Sequence, residues 1–168
     1  MSISMPKSVA APFVGLTLML CLTPLGAKAA RLEPVAKFYA GQTHLDLEVF
    51  HASEGGKLGL LTVENPLRIR GQPSASIAIQ PAQWPELIAL WTQARAGVTG
   101  AEPWTTVGEL VEVDGSPSPV RLSVSTGPNV RFAFGSAVIG LTFELSASDM
   151  EAMEQALKRE QALLTSKK

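Results

Sequence analysis

Reactive side chains are scarce in this 168-residue sequence, which contains one cysteine and two histidines. The cysteine, Cys21, lies in an N-terminal segment that we expect to be removed from the working protein. A mature chain without cysteine has no disulfide, no thiol nucleophile and no site in which cysteine holds zinc or an iron–sulfur cluster. Apolar packing alone must therefore stabilise its fold, and the roughly 140 residues that remain are enough to bury a core.

The N-terminus has the three parts of a secretory signal peptide. Lys7 provides a positive start, residues 9–26 carry no charge, and Ala27-Lys28-Ala29 places small side chains before a cleavage point. These features are typical of exported proteins. We therefore predict that residues 1–29 are a signal peptide, and that residues 30–168 form a single α+β domain located in the periplasm.

Two other interpretations of this segment stay open at the level of sequence. The uncharged stretch approaches the ~20 residues that span a bilayer, so a retained membrane anchor is one of them, although Pro12 and Pro24 interrupt it. The other is lipidation at Cys21, which normally requires a smaller residue than Leu20 in front of the cysteine. We expect no stable membrane insertion after cleavage, and secretion beyond the periplasm is the alternative destination.

Basic side chains are slightly fewer than acidic ones. The 14 basic side chains include Lys7 and Lys28 of the leader, so the mature chain has 12 of them against 15 acidic ones and a net charge of −3. Surfaces that bind nucleic acid or anionic membranes need the opposite balance. We therefore expect no nucleic-acid partner, and the acidic balance favours a basic protein of the envelope or the secreted pool as the partner.

Two halves of the mature chain share a pattern at a spacing of 66 residues. The apolar positions Ile77, Ile79, Trp84, Leu87 and Trp91 coincide at this spacing with Phe143, Leu145, Met150, Met153 and Leu157. The alternating segment 45–48 coincides in the same way with 111–114. The pattern predicts an internal repeat of residues 36–96 and 102–164.

Each half is predicted to contain several strands followed by one helix. Alternation of apolar and polar residues predicts strands at 43–50, 58–63, 67–70 and 75–79, and again at 107–114, 120–125, 130–134 and 138–145. Apolar residues at helical spacing predict helices over 82–95 and 148–164, the second begun by a capping box of Ser148 and Glu151.

This order of elements excludes a doubly wound parallel sheet, in which helices would have to follow single strands. We predict an α+β fold of two similar strand-rich halves, each ending in a helix. The sheet is expected to be largely antiparallel, with the two helices packed on one face.

The glycine-rich segment Glu54-Gly55-Gly56-Lys57 lacks the spacing of a phosphate-binding loop, and we predict a hairpin loop. The two histidines offer the only imidazole bases. His44 and His51 have an odd spacing on one extended segment, so they are expected to point to opposite faces of a strand. His44 shares its face with Asp46, Glu48 and Phe50.

An acidic strand face with one histidine has two interpretations. Neighbours on one face of a strand stand about 6.5 to 7 Å apart, so a metal ion would need further ligands from a second strand. Otherwise these side chains form a solvated polar face, which is the interpretation that we adopt. We predict no catalytic set, no metal site and no cofactor, and we select five candidate binding residues: His44, Asp46, Glu48, Glu112 and Asp114.

Three functions of different kinds fit these features. The first is an exported, non-catalytic protein that binds another protein in the periplasm, as inhibitors, immunity proteins and assembly factors do. The alternative is a small periplasmic hydrolase or metal-dependent enzyme that uses the acidic strand residues. A structural component of the envelope is a third. The small catalytic inventory favours the binding protein, whereas a convergent set of acid and base groups would favour the enzyme.

Overall fold

The computed structural model describes residues 29–67, 74–112, 119–135 and 140–166. The predicted signal peptide lies outside the described residues up to position 28. Asp114 and most of the strand predicted at 67–70 lie outside them as well.

Strands and helices follow one another in the same order in the two halves. The first half comprises β1 (Arg31–Ala40), β2 (Thr43–His51), β3 (Lys57–Glu64), β4 (Ser74–Ile79) and helix α1 (Trp84–Ala96). The second half comprises β5 (Thr105–Val111), β6 (Arg121–Thr126), β7 (Val130–Gly135), β8 (Gly140–Leu145) and helix α2 (Met150–Thr165), which follows a 3-10 turn at Ala147–Asp149.

Each half forms its own four-stranded antiparallel sheet, with the strands in chain order. The predicted α+β class, the antiparallel pairing and the helix at the end of each half are confirmed. The strands are divided between two sheets, a partition that periodicity along the chain does not specify.

Alternation along the strands decides which face of each sheet is buried. In β2, Leu45, Leu47 and Val49 are fully buried, while the residues between them are partly exposed. The strands β7 and β8 alternate in the same way. Buried residues of both sheets and both helices belong to one hydrophobic core. Each sheet therefore has an inner face, which is directed to this core, and an outer face.

Each helix packs mainly against the sheet of the other half, although the ring of Trp84 in α1 also lies against Gly59 of β3. Helix α1 contacts β5 and β6, and helix α2 contacts β1, β2 and β3. The ring of Trp91 in α1 stacks on Phe132 of β7, with the ring centroids 6.1 Å apart. At the start of β3, the Lys57 ammonium donates hydrogen bonds to two carbonyl oxygens at the C-terminal end of α2, where a cation is favoured. The two halves therefore complete each other's core.

The apolar stripes of the two helices are buried, which confirms their interpretation as core. The buried positions are Trp84, Leu87, Trp91, Met150, Met153 and Leu157. The indole nitrogen of Trp84 donates a hydrogen bond to the carbonyl oxygen of Leu157 at 3.0 Å, which joins the two helices.

The predicted capping box at the start of α2 is wrong. Asp149 occupies the N-cap position, and no side chain there makes a capping hydrogen bond. Ser148 lies in the 3-10 turn, and its hydroxyl contacts the hydroxyl of Ser146 at 2.8 Å. A capping box requires Ser148 at the N-cap and Glu151 at the third helical position. The extra turn places Asp149 at the N-cap, so neither residue has the position that the motif needs.

Strand β1 was not expected, and it changes how the halves correspond. A β-bulge interrupts β1 between Pro34 and Ala36, and a second one interrupts β5 between Thr106 and Gly108. By its bulge and its place in the strand order, β1 corresponds to β5. Residues 45–48 lie in β2, whereas Val111 ends β5 and residues 113–114 lie outside the described ranges. The spacing of 66 holds for the fourth strands and for the helices, since α1 begins at position 84 and α2 at position 150.

Candidate functional site

The candidate residues of β2 lie on the outer face of the first sheet. The strand register aligns the side chains of this face into four rows that cross the sheet. The rows are Tyr39, His44, Glu64 and Ser74; Lys37, Asp46, Thr62 and Ser76; Pro34, Glu48, Leu60 and Ala78; and Leu32, Phe50 and Leu58. Charge is therefore concentrated at one end of the face and apolar surface at the other.

The charged end is a network of side chains from three strands. His44 Nε2 lies 3.4 Å from Asp46 Oδ2 and 3.1 Å from Glu64 Oε2. The Lys37 ammonium lies 3.2 Å from Asp46 Oδ1, and this hydrogen bond raises the pKa of Lys37 above its ordinary value. The ring of Tyr39 lies beside that of His44, with the centroids 5.9 Å apart. Asp46 is therefore already paired on both of its oxygens.

Glu48 differs from Asp46 in making no ion pair with any described residue. Among the described residues, no basic side chain lies within ion-pair distance of its carboxylate. It lines an open depression of about 350 Å³ at the bulge of β1, together with Pro34, Val35, Ala36, Lys37 and Asp46. The depression therefore combines apolar walls with one unpaired carboxylate.

Apolar side chains form the opposite end of the face. Leu32 is 52% exposed, and its cross-strand neighbours Phe50 and Leu58 are partly exposed. Leu60 lies in the adjacent row, next to Glu48. These residues alternate with the buried residues of β2 and β3, so they point away from the core.

Glu112 lies apart from this face in a structural role. Its carboxylate accepts a hydrogen bond from the backbone N–H of Ala78 at 2.9 Å, on the edge strand β4. The adjacent carbonyl oxygen of Val111 accepts a hydrogen bond from the amide of Gln83. The structure therefore groups His44, Asp46 and Glu48 but not Glu112, and Asp114 lies outside the described residues.

The edges of the first sheet are poor places for another strand to pair. In β1, Pro34 has no backbone N–H, and the bulge next to it interrupts the edge. In β4, the backbone N–H of Ala78 already donates a hydrogen bond to the carboxylate of Glu112. These features leave the outer face, and not the edges, as the accessible surface of this sheet.

The outer face of the second sheet has a different composition, in which side chains already pair with one another. The Ser123 hydroxyl donates a hydrogen bond to the carboxylate of Glu109 at 2.8 Å. The Arg131 guanidinium lies 3.6 Å from the centroid of the Trp104 ring and 3.6 Å from the carboxylate of Glu144. This face has no counterpart of the apolar row on the first sheet among the described residues.

One buried carboxyl group was missed by the sequence analysis. Glu160 of α2 is fully buried, and neither of its carboxylate oxygens has a hydrogen-bond partner among the described residues. It lies against Gly59 of β3, where an added Cβ would come within 2.8 Å of Glu160 Oε1. Burial raises the pKa of Glu160 to about 9; the nearby Leu60 backbone N–H, which does not reach hydrogen-bond geometry with either oxygen, opposes the shift, and the Glu48 carboxylate adds to it. Glu160 is therefore neutral at pH 7.

The two histidines point to opposite faces of β2, as predicted, and both are paired with carboxylates. His44 contacts Asp46 and Glu64, whereas His51 Nε2 lies 2.9 Å from Glu33 Oε2. Within the described ranges, no three histidine, aspartate or glutamate side chains are grouped so that they could hold a metal ion.

No helix in the part of the chain that the structure describes has the length and hydropathy needed to cross a membrane. Comparison of the sequence with protein-family models gave no match, and comparison with curated proteins gave none either.

Proposed function

We propose that this protein is an exported, non-catalytic binding protein of the periplasm, which recognises another protein through the outer face of its first sheet. Inhibitors, immunity proteins and assembly factors are the classes that this role includes. The observation that carries the proposal is the row of Leu32, Phe50 and Leu58, three apolar side chains that stay partly exposed on one sheet face. Contiguous apolar surface on a soluble domain commonly marks an interaction site.

The surroundings of this row support a protein partner. Interfaces combine an apolar centre with a polar rim that keeps its hydrogen bonds. Here the apolar row is followed along the strands by Glu48 and then by the paired side chains of Lys37, Asp46 and His44. The inner faces of the sheets and the apolar sides of both helices are used by the core, whereas the apolar row lies on the outer face.

Charge indicates the kind of partner. Asp46, Glu48 and Glu64 on the outer face outnumber its one lysine, Lys37, and the mature chain carries a net charge of −3 if the leader is removed. Enzymes and toxins that act on the anionic cell envelope are often basic, so complementary charge would accelerate their association with this face. The enzyme alternative has no comparable support, because Glu112 lies apart from His44, Asp46 and Glu48.

The proposal is tested by capture from an envelope extract with matched surface variants. The mature protein is immobilised, and bound proteins are quantified by mass spectrometry for the wild type, Leu58→Arg and Thr142→Arg. Thr142 is an exposed position on a strand of the second sheet, so its variant carries the same added charge on the other half. We expect one basic protein to be retained by the wild type and Thr142→Arg and lost with Leu58→Arg.

Circular dichroism shows whether both variants keep the fold, as surface substitutions normally do. Equal retention of every captured protein by Leu58→Arg and the wild type would contradict a docking role for this face.

A further inference from the structure

We propose that the partner places a basic side chain in the depression at the β1 bulge, against Glu48, and an apolar side chain on the neighbouring row of Leu32, Phe50 and Leu58. This inference deepens the proposed function and rests on it. It identifies the partner by chemistry, as a protein surface on which a lysine or arginine stands next to an apolar residue.

The bulge creates the depression. One extra residue in β1 between Pro34 and Ala36 breaks the pairing with β2, and such bulges bend a strand and redirect its side chains. The resulting depression of about 350 Å³ has room for the end of one long side chain. Its walls at Pro34, Val35 and Ala36 are apolar, which suits the methylene stem of lysine or arginine.

Electrostatics favour a cation over an anion at this position. Lys37 also lines the depression, but its ammonium is engaged by Asp46 at 3.2 Å. Of the two carboxylates that line the depression, Asp46 is paired with Lys37, and Glu48 makes no ion pair with any described residue. The depression therefore keeps an uncompensated negative charge. A partner cation would satisfy this charge, whereas a carboxylate or phosphate would be repelled by it.

The spacing of the two contacts specifies the partner further. Glu48 and Phe50 are two residues apart on one face of β2, which places them about 7 Å apart. Residues at i and i+2 of a strand, or at i and i+4 of a helix, can present a basic and an apolar side chain at this separation.

The experiment is a titration of the ¹⁵N-labelled mature protein with 4-phenylbutylamine, followed by heteronuclear NMR. This probe carries an ammonium group and a phenyl ring at the two ends of a butyl chain. Its neutral analogue, 4-phenylbutan-1-ol, is titrated in parallel. We expect the amine to shift the amide signals of the β1 bulge, Glu48 and Phe50, and to bind more tightly than the alcohol.

Two matched variants test whether the Glu48 carboxylate causes the tighter binding of the amine. Glu48→Gln should weaken amine binding about fivefold, the upper range for one exposed ion pair, and should leave alcohol binding unchanged. Glu64→Gln removes the same charge from the far end of the face and should leave amine binding within about twofold of the wild type.

Equal affinities for amine and alcohol, or an unchanged affinity in Glu48→Gln, would overturn the cationic contact. That failure is separate from a failure of the proposed function. If Leu58→Arg still abolishes partner capture, the docking face stands and only the contact at Glu48 is wrong. If amine binding depends on Glu48 but Leu58→Arg captures normally, the depression binds amines without serving a protein partner, and this inference fails together with the proposed function.

Discussion

Replacement of the buried Glu160 by glutamine should stabilise the protein at neutral pH. The carboxyl group is fully buried and lacks a hydrogen-bond partner among the described residues, and its pKa is raised from 4.5 to about 9. The folded protein therefore keeps this proton at pH 7, while the unfolded chain releases it. The free energy of unfolding therefore falls with pH in this range. The contribution of the raised pKa is fully present below pH 4.5 and is lost progressively as the pH rises to 9.

The size of the effect follows from the shift. Each pH unit above 4.5 removes about 1.4 kcal/mol from the free energy of unfolding, so Glu160 costs about 3 kcal/mol at pH 7. Glu160→Gln does not titrate. Its stability relative to the wild type should rise by that amount between pH 4.5 and pH 7.

The assay is urea denaturation followed by tryptophan fluorescence at several pH values between 4.5 and 8. The informative quantity is the difference between Glu160→Gln and the wild type, because other carboxylates titrate equally in both proteins and cancel. A glutamine amide that lacks a partner lowers this difference by the same amount at every pH. Glu151→Gln, at an exposed position of the same helix, is the control for the loss of one carboxyl group from this helix. A difference for Glu160→Gln that stays flat across the range would refute the reasoning.

Two further predictions concern the core and the leader. Trp91→Ala should lower the free energy of unfolding by about 3 to 5 kcal/mol, because the ring is 1% exposed and stacks on Phe132; a loss below about 1 kcal/mol in urea melts would contradict its place in the core. Mass spectrometry of protein from a periplasmic fraction should find an N-terminus at Ala30, whereas an intact Met1 species in the membrane fraction would show that the leader is retained as an anchor.

Most regular elements follow from periodicity in the sequence. The apolar stripes of α1 and α2 are unambiguous, because each buried position recurs at helical spacing. Strand β1 was missed for a physical reason: it is an edge strand in which only Phe38 is buried. The bulge after Pro34 also shifts its alternation by one residue. A strand with one buried residue and an interrupted alternation of side chains gives almost no hydrophobic pattern.

The candidate site could be predicted only in part. Alternation along β2 placed His44, Asp46 and Glu48 on one face, as the structure confirms. Their partners Lys37 and Glu64 belong to β1 and β3, and register alone brings them into contact. Pairing between strands depends on the whole sheet, so no local pattern specifies it.

The packing of each helix on the sheet of the other half could not be predicted from the sequence either. The stripe of Trp84, Leu87 and Trp91 requires an apolar surface, and the inner faces of both sheets provide one. Which sheet receives it depends on the loop after α1 and on how the two halves pack. The burial of Glu160 could not be predicted for a related reason. The sequence of an amphipathic helix does not specify which residues of other elements a single polar side chain will contact.

The exchange of helices also separates stability from recognition. Because α1 covers the second sheet and α2 covers the first, neither inner face can be offered to a partner without exposing the core of both halves. Under the proposed function, recognition uses an outer face, where substitutions remove few core contacts. On this argument Trp91 and Glu160 should change stability with little effect on binding, while Leu58 and Glu48 should change binding with little effect on stability. A variant of Leu58 that loses its partner and keeps the wild-type urea midpoint would demonstrate this separation, since a destabilised fold would lose both together.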